Sequence, residues 1–307
     1  MQSPVVLGID FGGTKIAAAV AEVDGARLGT ATIHTSADDS ASTTFTRAVA
    51  AADALLGEVA PGRKLAAVGA CTFGIPHDDR IELAPTINGW GDLAFGHELR
   101  AAFPGAEIRM ATDVKAAAQA EADWGALRGC DPAIYLNLGT GLAVAIVVDG
   151  AVLNGRHGAA GEIGYNLRAH GDVAVDDRLL LEEAVSGKAL GTAAVSLLTD
   201  VASTAEVFAA APNDARAAAM LDAFVAELSF HLVNLTIAID PERIAVGGGL
   251  VRSWERLVGP LRLALDAAVP FPPDLVQADF PFDAPLIGAL AIARRAAHDV
   301  VRGGVPA

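Results

Sequence analysis

"VVLGIDFGGTKIAAAVAEVDG", residues 5–25, sets two apolar runs, 5–11 and 16–23, on either side of a tip that holds Asp10, Gly12, Gly13, Thr14 and Lys15. Short apolar runs bounded by glycines and by an Asp24-Gly25 turn read as β-strands, and a third run at 27–34 completes a meander. "AIYLNLGTGLAVAIVVDGAVLNG", residues 133–155, repeats the pattern: apolar strand, a tip with Gly139, Thr140 and Gly141, apolar strand, an Asp149-Gly150 turn, third strand. A period of that length marks a duplicated domain rather than a solenoid array. Chance similarity of two glycine hairpins is the alternative, and the shared Asp-Gly turn and third strand argue against it.

The stretch after each meander alternates helix and strand. Thr43–Glu58 reads as a helix with Thr43 or Thr44 as N-cap, 66–72 as a buried strand, about 95–103 as a helix, 107–111 as a strand and Val114–Leu127 as a helix with Asp113 just before it. Further helices are expected at 182–198, 204–210, 214–239 and 285–301, and a strand at 243–247 runs into Gly247, Gly248 and Gly249. Meander, then helix and strand in alternation, performed twice, describe an α/β protein of two similar lobes with a cleft between them.

Composition narrows the function. The 307 residues, 52% hydrophobic, suffice for a sizeable core and favour two domains. A formal charge of −15 repels phosphodiesters and anionic membranes, so neither nucleic acid nor a membrane is an expected partner. Cys71 and Cys130 lack any paired spacing, which leaves no disulfide framework or cysteine zinc site and suits a reducing compartment. The N-terminus enters a strand directly, and no charge-free run of membrane-spanning length occurs, so a cytoplasmic protein is expected.

Glycines let backbone amides approach phosphate oxygens, Thr14 adds a hydroxyl and Lys15 a charge; Thr140 and Gly141 offer a second set. Asp10 suits Mg²⁺ held through water. A single hairpin of this kind is more simply a tight turn, whereas two point to a nucleotide. Gly187-Lys188 lacks the Walker spacing, and Gly247–Gly249 lack the dinucleotide spacing, although a triple glycine lets a flat adenosine approach.

With these pieces placed, the sequence resembles the ROK family of sugar kinases, within the actin-like ATPase (ribonuclease H-like) superfold. The resemblance rests on the Asp-Gly-Gly-Thr-Lys tip, "NGW" at 88–90, Asp113, "LGTG" at 138–141, "GAAGEIG" at 158–164 and "VGGGL" at 246–250. It implies lobes of 1–112 plus a returning helix within 285–307, and of 113–284. It also implies a homodimer that needs ATP and Mg²⁺ and phosphorylates a hexose hydroxyl, usually the 6-OH. The family's repressors carry a winged helix ahead of the phosphate loop, and here that loop starts near residue 1, so no DNA-binding domain is expected.

By motif position Asp113 is the general base, although an Asp before a helix is also a good N-cap. Asn88 with Gly89, Thr112, Glu162, Tyr165 and Glu182 fall at sugar-contacting positions; Asn88 could equally be a turn residue and Glu182 a surface helix residue. Where most members place a zinc-binding histidine this chain has Tyr165. An ungapped match back from Glu182 puts Val173, Val175 and Leu180 at the three zinc cysteines. None of these residues is a zinc ligand, so no zinc is expected, and an apolar cluster of the four is expected in its place. Thr112 replaces a common Asn, and Lys115 is read as solvated on its helix face. An amino, N-acetyl or otherwise modified hexose remains open. A sugar-binding sensor is the alternative of another class, and polyphosphate the alternative donor, both disfavoured by the retained Asp10, Asp113 and acidic balance.

Overall fold

The structure, a computed structural model, describes residues 3–35, 39–84, 88–197 and 203–301. The chain forms two compact units, Met1–Asp123 with Asp283–Ala307, and Trp124–Phe282.

In the first unit β1 (Val5–Phe11), β2 (Lys15–Glu22) and β3 (Arg27–His34) form the meander. After α1 (Ala41–Val59) come β4 (Leu65–Thr72), the short pair β5 (Ile75–Pro76) and β6 (Ile81–Glu82), α2 (Phe95–Ala102), β7 (Glu107–Thr112) and α3 (Asp113–Trp124). The main sheet has the order β3-β2-β1-β4-β7, antiparallel across the meander and parallel from β1 to β7.

The second unit holds β8 (Ala133–Leu138), β9 (Leu142–Val148) and β10 (Ala151–Val152), then α4 (Gly187–Leu197), α5 (Thr204–Ala210) and α6 (Ala215–Ile239). It closes with β11 (Arg243–Gly247), α7 (Trp254–Ala268) and β12 (Asp274–Gln277), and α8 (Ala284–Val301) returns to the first unit. Its sheet order, β10-β9-β8-β11-β12, repeats the first one strand for strand, which is the duplication read from the two hairpins.

Several expected boundaries shift for local reasons. Ser40, not Thr43 or Thr44, caps α1, its Oγ accepting from Thr43 N at 3.2 Å. The helix expected over 182–198 is a one-turn 3₁₀ helix at Leu181–Glu183 followed by α4, whose first turn is capped by Ser186 Oγ accepting from Ala189 N at 3.1 Å; residue 198 lies outside the described residues. Residues 302–307 of the returning segment also lie outside them. The units divide between Asp123 and Trp124, at the last residue of α3, whereas the sequence places the division after Thr112; α3 packs against α8, where Ala116 clusters with Cys71 and Ala289.

Alternation along β1 assigns the faces of the first sheet. Val5, Leu7, Ile9 and Phe11 join Phe45, Trp90, Phe95 and Leu99 in one core, while Val6 packs with Leu286, Leu290 and Ala293 of α8 in another. The even residues of β1 therefore face α8, and Asp10 is the last of them. In the second unit Ile134, Leu136 and Leu138 alternate inward onto Leu190, Phe224, Leu228 and Leu261. By length and composition alone α6 could cross a membrane, yet Leu221, Phe224, Leu228 and Leu232 build it into this core.

The α8 backbone lies almost on the sheet. A Cβ at Gly69 would sit 2.0 Å from Ala289 O, a distance no side-chain shift relieves, whereas one at Gly57 in α1 meets nothing within 4 Å. Gly69→Ala is expected to destabilise the protein by about 1–3 kcal/mol, and Gly57→Ala to stabilise it by up to about 1 kcal/mol through helix propensity. Urea denaturation of the two variants beside the parent checks both signs.

Candidate functional site

In the first unit the candidates gather where three parallel strands end. Asp10 of β1 pairs in register with Cys71 of β4, and Cys71 with Ala111 of β7, so the three share a face. One residue further, Phe11, Thr72 and Thr112 pair in the same way on the opposite face. Asp113 then opens α3.

Asp10 is partly buried, and Cys71 Sγ, fully buried, donates to its Oδ1 at 3.5 Å and lies 3.4 Å from the Pro285 carbonyl of α8. Burial is the main cause that raises the Asp10 carboxyl from its ordinary 3.8 to about 7, the charge on Asp113 adds to it, and the Cys71 hydrogen bond and Lys15 act against it. Burial, then the charges of Asp10 and Asp113, push the Cys71 thiol well above its usual range, so it stays protonated as the donor. Two carboxylates that disfavour each other's charge make a place that a divalent cation relieves. Among the described residues no group of three or more His, Cys, Asp or Glu could hold a metal, but Mg²⁺ needs only one or two carboxylates when phosphates and water complete its shell. Asp10 fits that role.

The tip beyond Asp10 is braced from β3's end. Thr35 Oγ1 donates to Gly13 O at 2.9 Å and Thr35 N to Thr14 O at 3.2 Å, which leaves Gly12 to Lys15 as a fixed turn.

Thr112, rather than Asp113, supplies the helix cap: its Oγ1 accepts from Lys115 N at 3.2 Å. Asp113 is the first helical residue, and its Oδ1 accepts from Val114 N at 2.8 Å. Lys115 is 3% exposed, so the expectation of a solvated lysine is corrected. Asn88 and Gly89 form an exposed turn, with Gly89 at φ +76°. That turn is anchored by Trp90, fully buried against Phe73 and Phe11, whose indole N–H donates to Thr72 Oγ1 at 2.9 Å. Since Thr72 pairs with Thr112, the Asn88 turn is tethered to the strand ends that carry Asp113.

In the second unit the β8–β9 tip is held from outside. Gly187 N donates to Gly139 O at 2.8 Å and Lys188 N to Thr140 O at 3.3 Å, so the first amides of α4, otherwise unpaired, grip the tip carbonyls. Glu182 Oε2 accepts from Leu142 N at 2.8 Å and packs on Gly141, where a Cβ would come within 2.3 Å of it. One oxygen of Glu182 is thus committed to the tip, a role absent from its reading as a sugar ligand.

Glu162 follows Gly161, whose φ of +91° and close approach to Val144 O require glycine. A 3₁₀ turn, Ile163–Tyr165, begins directly after Glu162. Burial, and then the charges of Glu162 and Glu182, push the Tyr165 hydroxyl above its usual range, so these three polar groups lie together in this unit. The expected apolar cluster does not form: Tyr165 is 42% exposed, Val173 73% and Val175 46%, and Leu180 is half-buried. Every residue from Tyr165 to Leu180 is exposed or half-buried, and the stretch includes the 3₁₀ turn His170–Ala174.

Gly247 and Gly248 close β11. Cβ atoms there would strike Tyr135 Oη at 2.1 Å and the Leu138 backbone at 2.5 Å, while one at Gly249 meets nothing within 4 Å. The first two glycines are required by packing, and the third leaves open space at the start of the segment leading into α7. Sequence reading missed Cys71 altogether; only the β1–β4 register identifies it as the partner of Asp10.

A family model described as the ROK family matches residues 6–296. The bifunctional enzyme NanE/NanK of Brucella melitensis is 31% identical over 295 residues, covering 95% of this chain, and the chain spans 54% of that relative's length. The ROK hexokinase of Thermus thermophilus superposes with a TM-score of 0.80 at 29% identity, covering 98% of this chain and 100% of that one. The ROK glucokinase of Streptomyces griseus, solved with glucose and AMPPNP, does so with 0.73 at 26% identity, covering 95% and 99%. The fold is the actin-like ATPase fold of these kinases.

Below pH 3.8 the Asp10 carboxyl is neutral in the folded and unfolded chains alike; between 3.8 and about 7 only the unfolded chain ionises it. Folding stability from this group therefore falls as pH rises through that window and levels off above it. Asp10→Asn is expected to be more stable than the parent at pH 8, by about 1–4 kcal/mol, with the difference vanishing towards pH 4. Thermal melts across that range check it.

Proposed function

Because the chain belongs to the ROK family, we propose that it is an ATP-dependent kinase that phosphorylates a hydroxyl, the 6-OH by family position, of a hexose or modified hexose. The observation that carries the reading is the placement of Asp113 in the first turn of α3, close enough to Asp10 for its charge to raise that carboxyl. Sugar binding alone needs no such pair.

In this reading Asp113 accepts the proton of the attacking hydroxyl. The bond that its Oδ1 accepts from Val114 N at 2.8 Å orients the carboxylate. Phosphoryl transfer is otherwise positioning and charge stabilisation. Thr14 and Lys15 on one tip and Thr140 and Gly141 on the other would bind phosphate oxygens, and Gly249 would admit the nucleoside. Asp10 would hold Mg²⁺ through water; the ion, when bound, offsets phosphate charge. Asn88, Glu162 and Tyr165 would accept and donate hydrogen bonds to sugar hydroxyls, and an analogue lacking such a hydroxyl would leave its partner unpaired. Glu182 would act on both sides, one oxygen towards the sugar and the other on the tip.

ADP release with ATP and Mg²⁺, measured across hexoses, amino hexoses and N-acetyl hexosamines, tests the reading. Turnover on at least one sugar is expected, reduced about 10²–10⁴-fold in Asp113→Ala. Silence across the panel with sugar binding intact would overturn it in favour of a sensor. Glu182→Gln separates the two roles of that residue: weakening the hydrogen bond to Leu142 N should raise the KM for ATP about tenfold, whereas a residue bound to sugar alone would move only the sugar KM.

A further inference from the structure

Ile163, between Glu162 and Tyr165, is buried in the core of the second unit, but the stretch that follows, residues 165–180, is exposed or half-buried throughout. From that stretch the side chains of Asn166 and Arg168 reach α6. Arg168 Nε meets Glu227 Oε1 at 2.8 Å and its Nη2 meets Oε2 at 3.4 Å, a two-pronged ion pair with both side chains only 27% exposed. Asn166 Nδ2 lies 3.4 Å from Nδ1 of His231, one helical turn beyond Glu227 and 6% exposed. His231 Nε2 is buried 4.0 Å from Glu227 Oε1, and burial lowers the proton affinity of the ring, which keeps it neutral beside Arg168.

The loop's shape is set between these contacts. Arg168 N and Ala169 N both donate to Asp172 Oδ2, at 3.0 and 2.9 Å, and Asn166 N donates to Ile163 O at 2.9 Å. A short, internally bonded path thus leads from Glu162 to the ion pair.

We propose that Arg168 with Glu227, and Asn166 with His231, are positioning residues: a polar clasp onto α6 that fixes Glu162 and Tyr165 for the sugar. The inference rests on the proposed sugar-binding role of those two residues. A partly buried, forked pair holds direction as well as distance, which the exposed stretch after Ile163 otherwise lacks.

The test uses the full chain with Glu227→Gln, which removes the charge at nearly constant shape, Arg168→Lys, which keeps the charge but not the fork, and Arg216→Gln. The last breaks an exposed ion pair on the same helix that does not touch the loop. Expected in Glu227→Gln are a rise in sugar KM of about tenfold with the KM for ATP within about twofold, and faster amide hydrogen exchange confined to residues 162–175. Arg168→Lys, which keeps the charge, should show a smaller rise than Glu227→Gln, and Arg216→Gln should match the parent. Unchanged exchange over 162–175 in Glu227→Gln, or equal rises in both KM values, would overturn the clasp. If the parent phosphorylates no sugar, the kinase reading fails, and the exchange measurement still decides whether the clasp holds the loop.

Discussion

The backbone of α8 rests on β1 and β4 at a distance only hydrogen-sized side chains allow, and the first unit is organised by that approach. Gly69 faces Ala289 O, and Gly288 faces Ala116 O, where a Cβ would lie 1.8 Å away. The contact fixes which face of the sheet is closed by α8, and hence which side chains of β1 point at its first turn. Asp10 points there, the Pro285 carbonyl meets Cys71, and Cys71 meets Asp10. The Asp10 carboxyl is thus held in a largely dehydrated place by helix–sheet packing.

That placement has an electrostatic cost, since a carboxyl near a second carboxylate and away from water resists ionisation. Natural proteins retain such groups where function needs them. The second unit uses a different device at the equivalent strand end: no acid stands in its tip, and helix amides and Glu182 brace the turn instead. The two hairpins share a backbone plan, but one presents a carboxylate and the other an amide-lined turn.

Much of this was legible in the sequence. The hairpins at 5–25 and 133–155 announced themselves through alternating apolar runs and Asp-Gly turns, and the matching sheet orders follow from them. Asp10 and Asp113 were legible because each stands beside a strand end or helix start. Lys115 was misread because α3 is buried on every side from Val114 to Glu121, polar and charged residues included, so no alternation of apolar and polar faces marks which residues water reaches. The loop at 163–180 was misread for a related cause. Its valines and leucine suggested packing, while the residues that hold it, Arg168 and Asn166, act on partners at 227 and 231, a separation no local pattern reveals. Cys71 was invisible until strand register set it beside Asp10. Pairing across sheets and onto distant helices is tertiary information.

The first unit is interrupted in sequence: its sheet is complete by Thr112, but α8 begins only at Ala284. A ribosome makes the chain from the N-terminus, so the alanine-rich face formed by Val6, Ala17, Ala19, Ala21 and Ala67 emerges long before the helix that covers it. The whole second unit is synthesised in the interval. Small side chains at these positions give a nascent chain little greasy surface with which to stick to its neighbours, so the residues that let α8 sit close in the finished fold also make the wait for it safer.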